Sequence, residues 1–99
     1  MEDIQQLGSS IEINGFSIVD RASMVIVKKV IGNYARKFSE KNVGFEKLTI
    51  ILKNDETEKT CEIQAQAKTA SKVFDSDIKD ENLFVAIDSA LKGLDSQLI

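Results

Sequence analysis

Six cations stand close together between residues 21 and 41: Arg21, Lys28, Lys29, Arg36, Lys37 and Lys41. A single acid, Glu40, accompanies them, so this stretch carries a local charge of +5 in a chain whose formal net charge is −3. Cations at such density suit an anion, and the chemistry on offer is charge neutralisation of phosphates rather than bond making. Four or five neutralised phosphates would give a salt slope of about −4 on a log–log plot. The bland alternative is an ordinary solvated helix face, since Arg36, Lys37 and Lys41 also suit the negative end of a helix dipole.

Nothing else in the sequence is poised to react. The chain has no His, which removes the usual general base, the usual zinc ligand and the Ser/His and Cys/His pairs. A non-enzymatic role with no cofactor, no metal and no small-molecule substrate is therefore expected. Cys61 is the only cysteine, so no intrachain disulfide can form, and a reducing cytoplasmic setting is expected. Its place on an apolar strand face predicts a buried structural thiol. The stretch from Asp75 to Glu81 superficially resembles a calcium loop, but Lys79 occupies a ligand position and the required glycine is missing. The five glycines form neither GxGxxG nor GxxxxGK, and no GXXG loop or strand-borne aromatic pair is present. Phe45 and Phe74 read as core residues.

The positioning elements follow from periodicity. The acidic Met1-Glu2-Asp3 start has no apolar run behind it, so it is not read as a secretory signal, and no stretch is apolar enough to span a membrane. Residues 1–10 end in Gly8-Ser9-Ser10 and are expected to form a flexible arm ahead of one domain at 11–99. Ile11 to Asn14 alternates as a half-buried strand that exits at Gly15. Asp20 is a good N-cap for a helix to about Glu40. On a helical wheel Met24, Val27, Ile31, Tyr34, Ala35 and Phe38 fall within about 100° of arc. Lys29 and Arg36 lie nearly opposite, Lys28 and Lys37 flank the stripe, and Val25 and Ile26 fall on the basic side. Residues 45–53 and 60–68 read as a hairpin around a polar turn at Asn54 to Thr57; Cys61, Ile63, Ala65 and Ala67 mark the apolar face of its second strand. Lys72 to Ile78 is a weaker edge strand. Asp80 and Glu81 are expected to open a second helix along Leu83, Phe84, Ile87, Leu91, Leu94 and Leu98. The fold class is α+β, a β-α-β-β-β-α two-layer sandwich with both helices on one face of a four-stranded sheet.

In this order, Glu81-Asn82-Leu83-Phe84-Val85-Ala86-Ile87-Asp88 and its continuation through Leu94 to Leu98 resemble the second helix of the ribosome hibernation-promoting factors. These are also called ribosome-associated inhibitors or sigma-54 modulation proteins. Ile11-Glu12-Ile13-Asn14-Gly15 is similar to the family's first strand and exit glycine. The resemblance spans about residues 10–98, with the second helix its specific part. It implies a short-form factor that sits in the tRNA and mRNA path of the small ribosomal subunit and inhibits translation during hibernation or stress. The implied partners are that subunit and its ribosomal RNA, with no membrane; self-association, if any, is a weak homodimer. The implied RNA-binding residues are Lys28, Lys29, Arg36 and Lys37, taken as a face, with Lys41 and Lys92. The second helix departs from the family in offering only Lys92, beside Asp88 and Asp95, and the sequence reaches Ile99 without the family's basic tail. Two alternatives remain: an interaction module of the same fold with weak or no RNA binding, and a double-stranded RNA-binding domain, whose second helix would need a basic N-terminus.

Overall fold

The computed structural model describes residues 4–8, 10–55 and 57–98. The acidic start at residues 1–3, Ser9 of the arm, Glu56 of the hairpin turn and Ile99 lie outside the described residues. The chain order is β1 (Ile4–Gln6), β2 (Ile11–Asn14), α1 (Arg21–Lys41), β3 (Phe45–Asp55), β4 (Thr60–Thr69), β5 (Val73–Asp80) and α2 (Leu83–Gln97). The five strands stand in sequence order in one sheet. Among the described residues only β2 and β3 run parallel, with Ile11 opposite Leu48 and Ile13 opposite Ile50. A parallel pair needs a crossover, and α1 supplies it.

Period-2 alternation gives the sheet one apolar face. Ile11 and Ile13 of β2, Leu48, Ile50 and Leu52 of β3, and Ile63, Ala65 and Ala67 of β4 are buried there. Against them α1 packs Val27, Ile31, Ala35 and Phe38, and α2 packs Ala86, Ile87, Ala90, Leu91 and Leu94. The fold is α+β with both helices on one face, as expected. The helix α1 starts where its cap predicts: Asp20 accepts the Ser23 N–H at 3.0 Å.

The structure corrects four details. The sheet has five strands rather than four, because Ile4–Gln6, expected within an arm, pair antiparallel with β2. The Leu7 N–H donates to the Ile11 carbonyl at 2.8 Å, and the Gln6 amide donates to the Glu12 carboxylate at 2.9 Å. One apolar residue in three is too little alternation to announce a strand. Second, Asp80 and Glu81 do not open α2: Asp80 ends β5, and Asn82 caps the helix by accepting the Phe84 and Val85 N–H groups. Third, Phe84 faces solvent at 38 % exposure because Ala86 and Ala90 take the seats over the sheet. Fourth, Cys61 is half-buried at the rim of the core rather than enclosed. Phe45 and Phe74 pack against the core as read, with Phe45 6.1 Å from the Phe38 ring.

Gly15, the exit from β2, has φ +87°, a region L side chains rarely adopt. A Cβ there would collide with the Leu52 carbonyl. Gly15→Ala is therefore expected to lower stability by at least about 2 kcal/mol, read from urea unfolding against the wild type.

Candidate nucleic-acid interface

The apolar stripe of α1 faces the sheet, so its opposite face is fixed toward solvent. Lys28, Lys29 and Arg36 stand exposed there. None of the three makes an ion pair among the described residues. Val25 and Ile26 share this side, 65 % and 52 % exposed.

The other three candidate cations are spoken for. The Lys37 ammonium lies 3.3 Å from Asp95 Oδ2 and 5.8 Å from the centre of the Tyr34 ring. Lys41 Nζ donates to Asp95 Oδ1 at 3.1 Å and to the Asp95 carbonyl at 3.0 Å. Lys92 pairs with Asp88 one turn earlier on α2, at 3.0 Å. Asp88 also accepts the Tyr34 hydroxyl at 2.9 Å. The contacts advance together, residue 34 to 88 and residue 41 to 95, so α1 and α2 lie side by side and run parallel. Thus Lys28, Lys29 and Arg36 form one open cluster, and Lys37, Lys41 and Lys92 form a second row, paired with two carboxylates along the seam between the helices.

The seam explains its own electrostatics. Burial pushes the Tyr34 hydroxyl up, and the Asp88 hydrogen bond and charge add to it, to about 12. Hydrogen bonds from Lys92 and Tyr34 hold the Asp88 carboxyl below its usual value. Burial acts to raise Asp95, but the hydrogen bonds from Lys41 and Lys37 outweigh it, and this carboxyl too is lowered. Sequence reasoning placed Tyr34 in the apolar stripe and missed its polar tip. The available signal was spacing: Tyr34, Lys37 and Lys41 share one edge of α1, as Asp88 and Asp95 share one edge of α2.

The open sheet face offers no stacking platform. Register places Glu12, Thr49, Gln66 and Asp75 in one row and Asn14, Ile51, Gln64 and Asp77 in the next. Thr49, Ile51, Gln64, Gln66, Asp75 and Asp77 border a shallow depression of about 430 Å³ with no aromatic ring. Of the calcium-loop lookalike from Asp75 to Glu81, all but Glu81 is regular strand. Among the described residues no cluster of His, Cys, Asp and Glu could hold a metal ion, and no helix is long and apolar enough to cross a membrane.

No family model matches the sequence, and no curated protein does. Solved structures do match. The N-terminal domain of Protein Y from Thermus thermophilus aligns with a TM-score of 0.67 at 16% identity, over 95% of this chain and 96% of that one. A ribosomal subunit interface protein from Coxiella burnetii aligns with a TM-score of 0.59 at 11% identity, over 90% of each chain. This chain shares their fold. The likeness takes in almost the whole length of each chain.

The seam has a pH signature. Carboxyls lowered on folding add stability that is complete above their unfolded value near 3.9 and is lost as pH falls through the lower folded value. Tyr34, raised on folding, adds stability that is complete below about 10 and is lost as pH climbs through about 12. Urea unfolding between pH 7 and pH 2 should show a loss starting near pH 4 that is shallower in Asp88→Asn with Asp95→Asn. A double-mutant cycle of Tyr34→Phe and Asp88→Asn at pH 7 should give a coupling of about 1 kcal/mol.

Proposed function

We propose that this protein is a non-enzymatic ribosome-binding factor. Its α1 face lies on ribosomal RNA of the small subunit, in the tRNA and mRNA path, and translation is inhibited while it is bound. The observation that carries the reading is the unpaired cluster of Lys28, Lys29 and Arg36 on α1 of a fold shared with a protein described as a ribosomal subunit interface protein. Phosphate contacts of this kind position a protein by shape and charge, and need no base-edge reading. The mode of action is steric: a folded body occupies the path, no bond is made or broken, and neither cofactor nor small molecule takes part. The cytoplasm is where such a partner is met, and hibernation or stress is the setting in which silencing a subunit is useful.

Lys37, Lys41 and Lys92 form the reserve of this interface. Asp95 and Asp88 already pair with them, two carboxylates against three cations, so an incoming phosphate must compete with a carboxylate in place. Three free cations rather than six predict a salt slope of about −2 to −3.

A second reading is an interaction module of the same fold that binds protein instead. It draws on the exposed Val25 and Ile26 and on the acids that neutralise the seam.

Co-sedimentation with purified small ribosomal subunits at rising salt separates the two. Under the first reading the protein binds at low salt with the slope above, and Lys29→Glu with Arg36→Glu weakens binding more than tenfold. Asp95→Asn frees Lys37 and Lys41 and steepens the slope toward −4. Under the second reading the double charge reversal leaves partner binding intact and Val25→Asp removes it. Absence of subunit binding at low salt sinks the first reading.

A further inference from the structure

The two helical glycines differ in what the fold asks of them. In α2, a Cβ on Gly93 would come within 2.6 Å of Ser76 Oγ, so helix-to-strand packing accounts for that glycine. In α1, a Cβ on Gly32 would meet nothing within 4 Å. Its backbone is ordinary right-handed helix, so no positive φ calls for glycine either. Glycine is among the poorest helix formers, and nothing inside the protein offsets its presence at the middle of a 21-residue helix.

What surrounds Gly32 is informative. On a helix surface a residue's neighbours lie three and four positions away. For Gly32 these are Lys28, Lys29, Ala35 and Arg36. Three of the four are the unpaired cations, and the fourth, Ala35, points into the core. Gly32, itself half-buried, thus leaves an open notch in the helix surface bordered on its solvent side by free positive charge. Lys29 and Arg36 flank it along the axis, separated by about 10 Å. A side chain at this point would stand between the cations and hold a bulky partner away from the helix.

We infer that Gly32 is the seat of the interface, the point where a phosphodiester strand comes against the α1 main chain while Lys28, Lys29 and Arg36 close on its phosphates. This rests on the reading of the α1 face as an RNA-binding surface, and it adds a neutral positioning residue that charge alone does not reveal. A bare helix surface also suits a second helix at close range. Three unpaired cations around the spot favour a polyanion over an apolar partner.

The test compares wild type, Gly32→Ala, Gly32→Leu and the double variant Lys29→Glu with Arg36→Glu. Each is measured for thermal unfolding and for co-sedimentation with purified small ribosomal subunits. Gly32→Ala should raise the melting temperature by about 4–8 °C, since it improves the helix and clashes with nothing. It should also weaken subunit binding severalfold. Gly32→Leu should fold as well as wild type, keep the salt slope of about −2 to −3, and bind at least tenfold more weakly. A variant that is more stable yet binds less well separates a role at the interface from a role in folding. If both glycine variants bind as wild type while the double reversal does not, the inference is overturned and the RNA reading stands. If the double reversal binds as wild type, the RNA reading fails and takes the inference with it. If Gly32→Leu then still abolishes binding, the seat belongs to a protein surface, which also overturns the inference.

Discussion

The parallel pairing of β2 with β3 is the constraint on which the rest of this molecule hangs. Antiparallel neighbours can be joined by a tight turn, but parallel ones require the chain to travel back along the sheet before the second strand begins. Here the return is α1, all 21 residues of it. Once β2 and β3 are in register through Ile13 and Ile50, the helix has to cross the apolar face. Val27, Ile31 and Phe38 then turn inward to cover Leu48 and its neighbours. The side of α1 that meets solvent follows from that choice, and so does the exposure of its cations. A feature that looks like surface decoration is therefore fixed by strand pairing beneath it.

The second helix divides those cations into two groups. It lies parallel to α1 and reaches the seam with two carboxylates seven residues apart, Asp88 and Asp95. Each takes a partner from α1, Tyr34 for the first and Lys37 with Lys41 for the second. The lysine contacts are solvent-exposed, and pairs of that kind add little to stability. Their larger effect is on the field outside the protein, because they cancel charge along the seam and leave Lys28, Lys29 and Arg36 as the open part. The composition of the segment counts six cations; two of them, Lys37 and Lys41, are engaged at the seam, and four make no ion pair among the described residues, Arg21 standing apart at the start of the helix.

Much of this was legible in the residues. Asp20 as a cap, the inward stripe of α1 and the alternation from Cys61 to Lys68 are local signals, and local signals survive without tertiary knowledge. Two kinds of feature were hidden. The strand at Ile4–Gln6 has too few apolar residues to show a period and exists because β2 offers it an edge. The Tyr34 to Asp88 hydrogen bond joins residues 54 apart, so only the packing of two helices brings it about. The start of α2 fell between these cases. Two acids looked like a helix opening, yet Asn82, whose side-chain oxygen reaches the first free N–H groups, holds the cap. The periodicity from Leu83 to Leu98 placed that helix in the chain, but it could not say which of its acids would face the cations of α1.

The lateral order of the layers has a consequence for motion. The first helix crosses toward β3, while α2 lies over β4 and β5, where Asp75, Asp77, Asp80 and Glu81 also gather. The open cations of α1 and these carboxylates therefore lie apart, in a body about 39 Å long and 23 Å across. An uneven distribution of this kind acts on orientation as well as on attraction. Within a Debye length of a polyanion, about 8–10 Å at physiological salt, the field pulls one flank and pushes the other. The result is a torque that turns the molecule before it touches anything. A chain of net charge −3 can in this way approach an acidic target with its basic edge leading, so that the orientation of the encounter is selected before the strength of the contact matters.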